Sequence, residues 1–294
     1  RMARAIGAGN ASASAPGDAP GNKPDNTTDR AAANPVTPAP GIMLDKRRPT
    51  RRGKHYSPGE PMSIAIITGA SVGIGRASAA RFLGRGFTVY NLSRRACPLD
   101  GVHNLACDLA DPASIAAALE TLVPAVTEAD AVALVHNASQ MRKDSALDCP
   151  DADLRAVLET NVLAVNALNQ GLLPALPAGS SVIYVGSTLS EKAVAGAFSY
   201  VVSKHAQLGL MRTTCQDLMG RGVHTALVCP GFTDTEMLRT HLRNDQAVIE
   251  AIGAMNSYNR LVDPAEIAGL IDWVHDNPVI NGAVLHGNLG QRES

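Results

Sequence analysis

Ile64-Ala65-Ile66-Ile67-Thr68-Gly69-Ala70-Ser71-Val72-Gly73-Ile74-Gly75 decides the fold of this chain. The apolar run reads as a buried strand, the glycines as a sharp turn, and the stretch over 76–85 as a helix closed by Gly86. Strand, glycine turn and helix in that order are the context a dinucleotide site requires. Glycines let the backbone approach a pyrophosphate, and the following helix N-terminus offers free N–H groups and a positive dipole end. An ordinary β–α turn also uses glycine, so the turn alone leaves both readings open.

Downstream, apolar runs alternate with helical patterns, which predicts β–α units around a parallel sheet. Strands are expected at 64–68, 88–92, 103–107, 131–136, 182–186, 225–229 and 282–286. Helices are expected over 151–173 and 199–219, and after Asp111-Pro112 and Asp263-Pro264, where aspartate suits the cap and proline the first turn. The prediction is one α/β domain over 62–294, a Rossmann-type doubly wound parallel sheet of about seven strands. Ligands of such folds sit at the carboxyl ends of the strands.

Tyr200-Val201-Val202-Ser203-Lys204 lies in the helix over 199–219, with Ser187 thirteen residues before Tyr200. Residues four apart share a helix face. An ammonium there favours the phenolate and is expected to lower the tyrosine pKa. A hydroxyl opposite can hold a carbonyl oxygen while the tyrosine passes it a proton, which is acid–base chemistry on a C=O/CH–OH pair.

The glycine turn, written T-G-x-x-x-G-x-G, and the Y-x-x-x-K pair together resemble the short-chain dehydrogenase/reductase family, over Met62 to about Gly290. The resemblance implies the following roles. Tyr200 is the general acid/base, Ser187 orients the substrate carbonyl, and Lys204 tunes the tyrosine and bonds the nicotinamide ribose. Asn161, in Glu159-Thr160-Asn161-Val162, anchors a water of the proton relay. Gly69, Ser71, Gly73, Ile74 and Gly75 form the phosphate loop. Asp108 accepts from the adenine amino group, with Leu109 beside it. Asn137 and Ala138 follow the fourth strand. Pro230-Gly231 flanks the nicotinamide, Thr233 lies in the same loop, and Thr235 meets the carboxamide. One departure is Ser139, where the family has a glycine that lets the backbone run close to the ribose. His136 beside it reads as a satisfied histidine at a strand end.

NAD and NADP are separated at the end of the second strand. An aspartate there binds a ribose 2′-hydroxyl and repels a 2′-phosphate. This chain has Ser93-Arg94-Arg95, and guanidinium groups pair with phosphate. The expected cofactor is NADP(H), with Arg94 the main contact. The family's other basic position, within the glycine loop, is Val72 here.

Phe232-Thr233-Asp234-Thr235-Glu236-Met237 and Arg260-Leu261-Val262-Asp263-Pro264 bracket the variable substrate region. They look like 3-oxoacyl-[acyl-carrier-protein] reductases, as does Arg142. Many ketoreductases share this pattern. The implied substrate is a carbonyl compound, first a 3-oxoacyl thioester on acyl carrier protein or CoA, second a small ketone, quinone or pterin-like molecule. A non-catalytic NADP-binding sensor is the alternative from another class. Apolar Val162, Val165, Leu168 and Leu172 permit the helix pairing by which this family forms homotetramers or homodimers.

Of 294 residues 45% are hydrophobic, and the net charge is −1. These values fit a globular protein with one core. Aromatics are only 3%, so that core is aliphatic. Cys97, Cys107, Cys149, Cys215 and Cys229 show no metal-type spacing and read as small buried hydrophobes of a reducing, cytoplasmic compartment. No apolar run reaches the ~20 residues of a membrane span. Residues 1–61 carry ten Lys/Arg against five Asp/Glu, and the remainder sixteen against twenty-two. The acidic domain has no basic stripe, which argues against nucleic acid as a partner. Residues 1–61 are rich in Ala, Pro, Gly, Asn and Asp without apolar period, and are expected to be a disordered tail. Its cluster Lys46-Arg47-Arg48-Pro49-Thr50-Arg51-Arg52-Gly53-Lys54 reads as a solvated linker before a contact or targeting signal. Met62 starts the chain as members of this family commonly start, so the tail is expected to lie upstream of the native initiator.

Overall fold

A computed structural model of the chain describes residues 62–292. The expectations for the tail, including its basic cluster, lie outside the described residues.

Seven strands form one parallel sheet in the order β3-β2-β1-β4-β5-β6-β7. They are β1 (Ser63–Thr68), β2 (Thr88–Ser93), β3 (Val102–Ala106), β4 (Ala131–His136), β5 (Ser181–Val185), β6 (His224–Pro230) and β7 (Ala283–Gly287). β1 pairs with both β2 and β4. Chain order therefore reverses beside β1, which opens a crevice at the carboxyl edge there.

Alternation along β1 builds both faces of the core. Ile64 and Ile66 point to one side, where they join Leu122, Leu168 and Met211. Ala65 and Ile67 point to the other, with Phe82, Val89 and Ile271. A strand covered on both faces must be apolar throughout, as in parallel sheets generally. The first face is covered by α2 (Pro112–Thr127), α4 (Ala164–Leu172) and α5 (Phe198–Asp217). The second is covered by α1 (Gly73–Gly84) and α8 (Pro264–Asp276). Between them in the chain lie α3 (Asp151–Leu158), α6 (Glu236–His241) and α7 (Gln246–Gly253).

Most predicted boundaries shift by a residue or two, but two differences bear on function. Helix α1 begins at Gly73 rather than 76, so the glycines themselves make its first turn. The helix expected over 151–173 is interrupted by a π turn at Glu159–Leu163, with Asn161 at its centre. Widened turns of this kind release backbone groups from the α-helical pattern and concentrate at functional sites.

The sequence alone reads apolar Val162, Val165, Leu168 and Leu172 as permitting subunit pairing. Val165, Leu168 and Leu172 instead lie in the core, each under 5% exposed. An apolar period marks a buried face without saying what buries it. The apolar side chains left exposed on these elements are Leu163 and Val202.

Candidate active site

β5 ends at Val185, and after Gly186 the chain turns sharply at Ser187. Ser187 Oγ accepts from the Leu189 amide at 3.1 Å, and Ser190 Oγ accepts from the Ser187 amide at 3.1 Å. These reciprocal bonds fix the serine against the strand end. Tyr200 and Lys204 stand one turn apart near the start of α5, and both are buried. Asp144, from the loop after β4, holds that helix start. Its carboxylate accepts from the Ser199 amide at 3.0 Å and from the Ser199 hydroxyl, and its carbonyl accepts from the Phe198 amide. Burial works to raise the Asp144 pKa, but the Ser199 bonds prevail and hold it below the usual carboxylate value.

Burial pushes the Tyr200 pKa up to about 12, against the Ser187 hydroxyl bond that pulls it down. Burial likewise lowers Lys204 to about 7, and Cys229 would act to raise it only when ionised. Lys204 was expected to lower the tyrosine; in the structure desolvation prevails for both. The geometry gives the reason. Lys204 Nζ lies 5.4 Å from the Tyr200 ring centroid and donates to Val185 O and Gln207 Oε1, each at 2.9 Å. A buried tyrosine that keeps its proton at neutral pH is poised as a donor to a forming alkoxide.

Asn161 is fully buried. Its side chain closes a ring on Gln140, accepting from the amide at 2.7 Å and donating to the carbonyl at 2.9 Å. It also donates to Ser203 Oγ at 2.9 Å, and Ser203 donates to Tyr200 O. The π turn is thereby tied to the helix that carries the tyrosine. The Asn161 peptide carbonyl accepts from Gln207 Nε2 at 2.8 Å.

The glycine turn fits a pyrophosphate by three observations. Gly69 and Gly73 have φ of +71° and +56°, left-handed conformations that favour glycine. A Cβ on Gly75 would lie 2.3 Å from Gly69 O. Val72 caps α1 with no side-chain bond to its first amides, so those donors face the crevice unclaimed. Thr68 Oγ1 accepts from the Asn137 and Ala138 amides, while Asn137 Nδ2 donates to Thr68 O and Gly69 O. β1 and β4 are thus locked together under the turn. Beside them Ser139 Oγ is buried with no protein partner, a hydroxyl left over for a ligand.

A family model for short chain dehydrogenases matches residues 63–246. The chain belongs to the short-chain dehydrogenase family. It is 30% identical over 242 residues to the 3-oxoacyl-[acyl-carrier-protein] reductase FabG of Salmonella typhimurium, covering 77% of this chain and 96% of that protein. It is 27% identical to carbonyl reductase family member 4 of Danio rerio, covering 76% and 94%. A short chain dehydrogenase from Burkholderia cenocepacia, solved in complex with NADP, superposes with a TM-score of 0.70 at 29% identity, covering 77% and 96%. The ligand-free aldohexose dehydrogenase of Thermoplasma acidophilum reaches 0.73 at 22% identity, a likeness of fold, covering 78% and 94%.

As a short-chain dehydrogenase the chain is an oxidoreductase, and its remaining expected contacts divide into two groups. Asn91 organises the loop after β2. Buried in that strand, it accepts from the Ala70 amide and donates to Arg95 O and Asn104 Oδ1. Ser93 Oγ lies 3.5 Å from Ser71 Oγ, which joins this loop to the glycine turn. Arg94 is exposed, whereas Arg95 pairs with Glu236 at 3.1 Å across the crevice. Asp108 is exposed at the end of β3 and Leu109 is buried behind it. Thr235 Oγ1 caps α6 by accepting from the Leu238 amide, and its methyl group faces Gly73. Thr233 is buried, and its hydroxyl donates inward to Gly231 O at 3.0 Å. Gly231 is required for close approach, since a Cβ there would meet Asn288 Cα at 2.9 Å.

His136 is buried with Nε2 on Asn169 Oδ1 at 2.9 Å, and burial lowers its pKa to about 4. It is a neutral core histidine, although Nδ1 has no partner. Cys97, Cys107 and Cys229 are buried as expected, while Cys149 and Cys215 are only partly so. Arg142 is engaged by Asp153. Among the described residues no helix is long and apolar enough to cross a membrane. Sequence reasoning missed Asp144, Asn91, Ser203 and Gln207. Only Gln207, at i+3 from Lys204 in a helix, left a local signal.

Proposed function

We propose that the chain is an NADPH-dependent carbonyl reductase whose first substrate class is a 3-oxoacyl thioester. The observation that carries the reading is Tyr200, buried and protonated at neutral pH, with the Ser187 hydroxyl acting on it. Ser187 holds the carbonyl oxygen of the substrate, and Tyr200 gives its proton to that oxygen as charge develops there. When bound, NADPH supplies the hydride for the carbonyl carbon. Lys204 bonds its ribose and supports the tyrosine, and Asn161 holds the π turn behind both.

The cofactor would rest on the unclaimed amides at the start of α1, at Gly73, Ile74 and Gly75, with Gly69 shaping the turn and Ser71 beside it, and on Asn137 and Ala138. Asp108 and Leu109 would take the adenine, and Pro230, Gly231, Thr233 and Thr235 the nicotinamide end. NADP is preferred to NAD because Ser93 stands where an acid would repel a 2′-phosphate, and Arg94 is exposed beside it. The NADP complex of the Burkholderia cenocepacia relative agrees with this preference.

A 3-oxoacyl thioester is supported by the FabG relative. A cavity of about 500 Å³ before α5 is lined by Lys143, Asp144, Asp148 and His241, whose pKa burial lowers, so its one cation faces two carboxylates and it does not itself favour an acidic carrier. The capture of Arg142 by Asp153 removes one of the cations expected there and favours a small ketone, quinone or pterin-like substrate as the second reading. A non-catalytic sensor needs no protonated tyrosine, so the complete catalytic set speaks against it. We assign the protein to the cytoplasm. Its assembly is a homodimer or homotetramer through the surface that bears Leu163 and Val202.

The test is NADPH oxidation with acetoacetyl-CoA, run beside NADH and beside Tyr200→Phe. Turnover with NADPH that vanishes in the variant supports reaction class, cofactor and proton donor together. Equal turnover in the variant removes the mechanism.

A further inference from the structure

Tyr200, Lys204 and Gln207 lie at i, i+4 and i+7 on one face of α5. Gln207 is completely buried. A buried helix position of this kind ordinarily takes an aliphatic side chain. Here the carboxamide makes two bonds of opposite sense. Oε1 accepts from Lys204 Nζ at 2.9 Å, and Nε2 donates to the Asn161 carbonyl at 2.8 Å. Turning the amide over would set N–H groups against the ammonium and oxygen against oxygen, so the orientation is fixed by its partners. The second acceptor for Nζ is Val185 O, at the end of β5 and two residues before Ser187. Lys204 is therefore held from two sides, by the strand that delivers Ser187 and, through Gln207, by the π turn.

We propose that Gln207 is a positioning residue of the catalytic set, clamping Lys204 Nζ between β5 and the Asn161 carbonyl and setting how readily the lysine carries charge. The side chain takes the place beside Asn161 that the family resemblance gives to a water. A carboxamide bridges by hydrogen bonds without handing on a proton, so the line from Lys204 to Asn161 is a clamp and not a relay. The effect on turnover rests on the carbonyl reductase reading; the effect on the lysine does not.

Titratable groups facing Lys204 are Tyr200 on its own helix and Cys229 on β6. Glu191 acts on Cys229 in turn. Both acceptors of Nζ favour the ammonium against the burial that disfavours it. Removing Oε1 must lower the lysine pKa, and a carboxylate in its place must raise it.

The test is a pH titration by NMR of the cofactor-free full chain labelled at lysine Cε, with the Lys204 signal assigned by its loss in Lys204→Arg. Loss of one hydrogen bond to the ammonium in Gln207→Met should lower the midpoint by about one pH unit, a tenfold change in the protonation constant. Gln207→Glu should raise it, and serves alone if the Met variant does not fold. Coincident titrations in the parent and the folded variants overturn the proposal. In the ketone assay, kcat of Gln207→Met should fall about tenfold and its pH limb should move with the lysine, while KM for NADPH stays within about threefold. A rate profile that stays fixed while the lysine midpoint moves overturns the role in turnover. If the lysine moves as expected and the parent reduces no ketone, the clamp stands and the carbonyl reductase reading falls.

Discussion

The two halves of the carboxyl edge are built by opposite means. The half around β1, β2 and α1 works through backbone. Its turn has left-handed glycines, unclaimed helix amides and no room for a Cβ at Gly75. The half around β4, β5 and α5 works through buried polar side chains, among them Asn161, Ser203, Lys204 and Gln207. A backbone cradle is sensitive to the addition of atoms. A side-chain network is sensitive to their removal, because each buried group left behind loses its partner. The contrast predicts which substitutions abolish chemistry and which abolish binding.

The largest effect should come from Tyr200→Phe. It removes one oxygen from the catalytic half and nothing from the cradle. Loss of a positioned proton donor costs roughly 10²–10⁴ in rate. NADPH affinity, measured by fluorescence titration, should stay within about threefold, since the tyrosine hydroxyl serves the carbonyl. A large loss of affinity would show that the halves are not separable.

Gly75→Ala is the converse. The new Cβ would press on Gly69 O at 2.3 Å and on Asn137 Nδ2 at 2.6 Å. Backbone must move, at about 1–3 kcal/mol of stability by analogy with overpacked cores. Thermal melts should show that loss, and NADPH affinity should fall with it. Unchanged binding would mean that the turn does not hold the phosphates.

Burial of two core histidines, His136 at the end of β4 and His275 in α8 on the other face of the sheet, also gives a pH signature. His136 and His275 both have their pKa lowered from 6.5 to about 4 by burial. Each is neutral when folded, and the unfolded chain binds protons first as pH falls. Their stabilising contribution is present above the ordinary imidazole pKa and is lost as pH drops from about 6.5 through about 4. For fully buried His136 the loss over that window is of order 3 kcal/mol. Melting temperature measured stepwise across the window should fall. A flat profile would show that water reaches these rings.

How much of this was legible in the sequence follows the same division. The glycine turn and the Tyr200–Lys204 pair are local patterns, so spacing alone placed them on a strand end and on one helix face. Ser187 was found by its place thirteen residues before Tyr200 and by the family resemblance. The π turn at Glu159–Leu163 was not legible, because its residues suit an α-helix equally well. Asn91 and Asp144 were missed because their partners lie far along the chain, at Ala70 and at Ser199. Val165, Leu168 and Leu172 announced a buried face, yet whether a subunit or their own sheet covers it is decided by tertiary packing. The tuning of Tyr200 was misjudged for a physical reason: spacing shows a neighbouring charge but not the loss of water around it.

Arg94→Ala should sharpen the cradle side with a smaller effect. A charge-assisted bond to a 2′-phosphate is worth about 1.5–3 kcal/mol. The ratio of kcat/KM for NADPH over NADH should drop about tenfold or more. Arg95→Ala should change it less, because Arg95 must leave Glu236 to reach a phosphate. Equal effects would show that the pair with Glu236 opens freely.

The smallest expected change tests whether the catalytic half depends on its scaffold or only on its reacting groups. Asp144 touches no reacting atom, yet it accepts from the Ser199 amide and hydroxyl and so caps the helix one residue before Tyr200. Ala197, the residue at the cap position, supplies no side-chain bond of its own. Asp144→Ala should cost about 1 kcal/mol in denaturant unfolding, as other helix caps do. It should also lower kcat with little change in KM for NADPH, since the cap lies at the tyrosine end of α5 and away from the glycine turn. Asp144→Asn keeps an oxygen acceptor and should recover most of both losses. A stability loss without a kcat loss would mean that Ser203 and the Asn161 ring hold Tyr200 in place unaided.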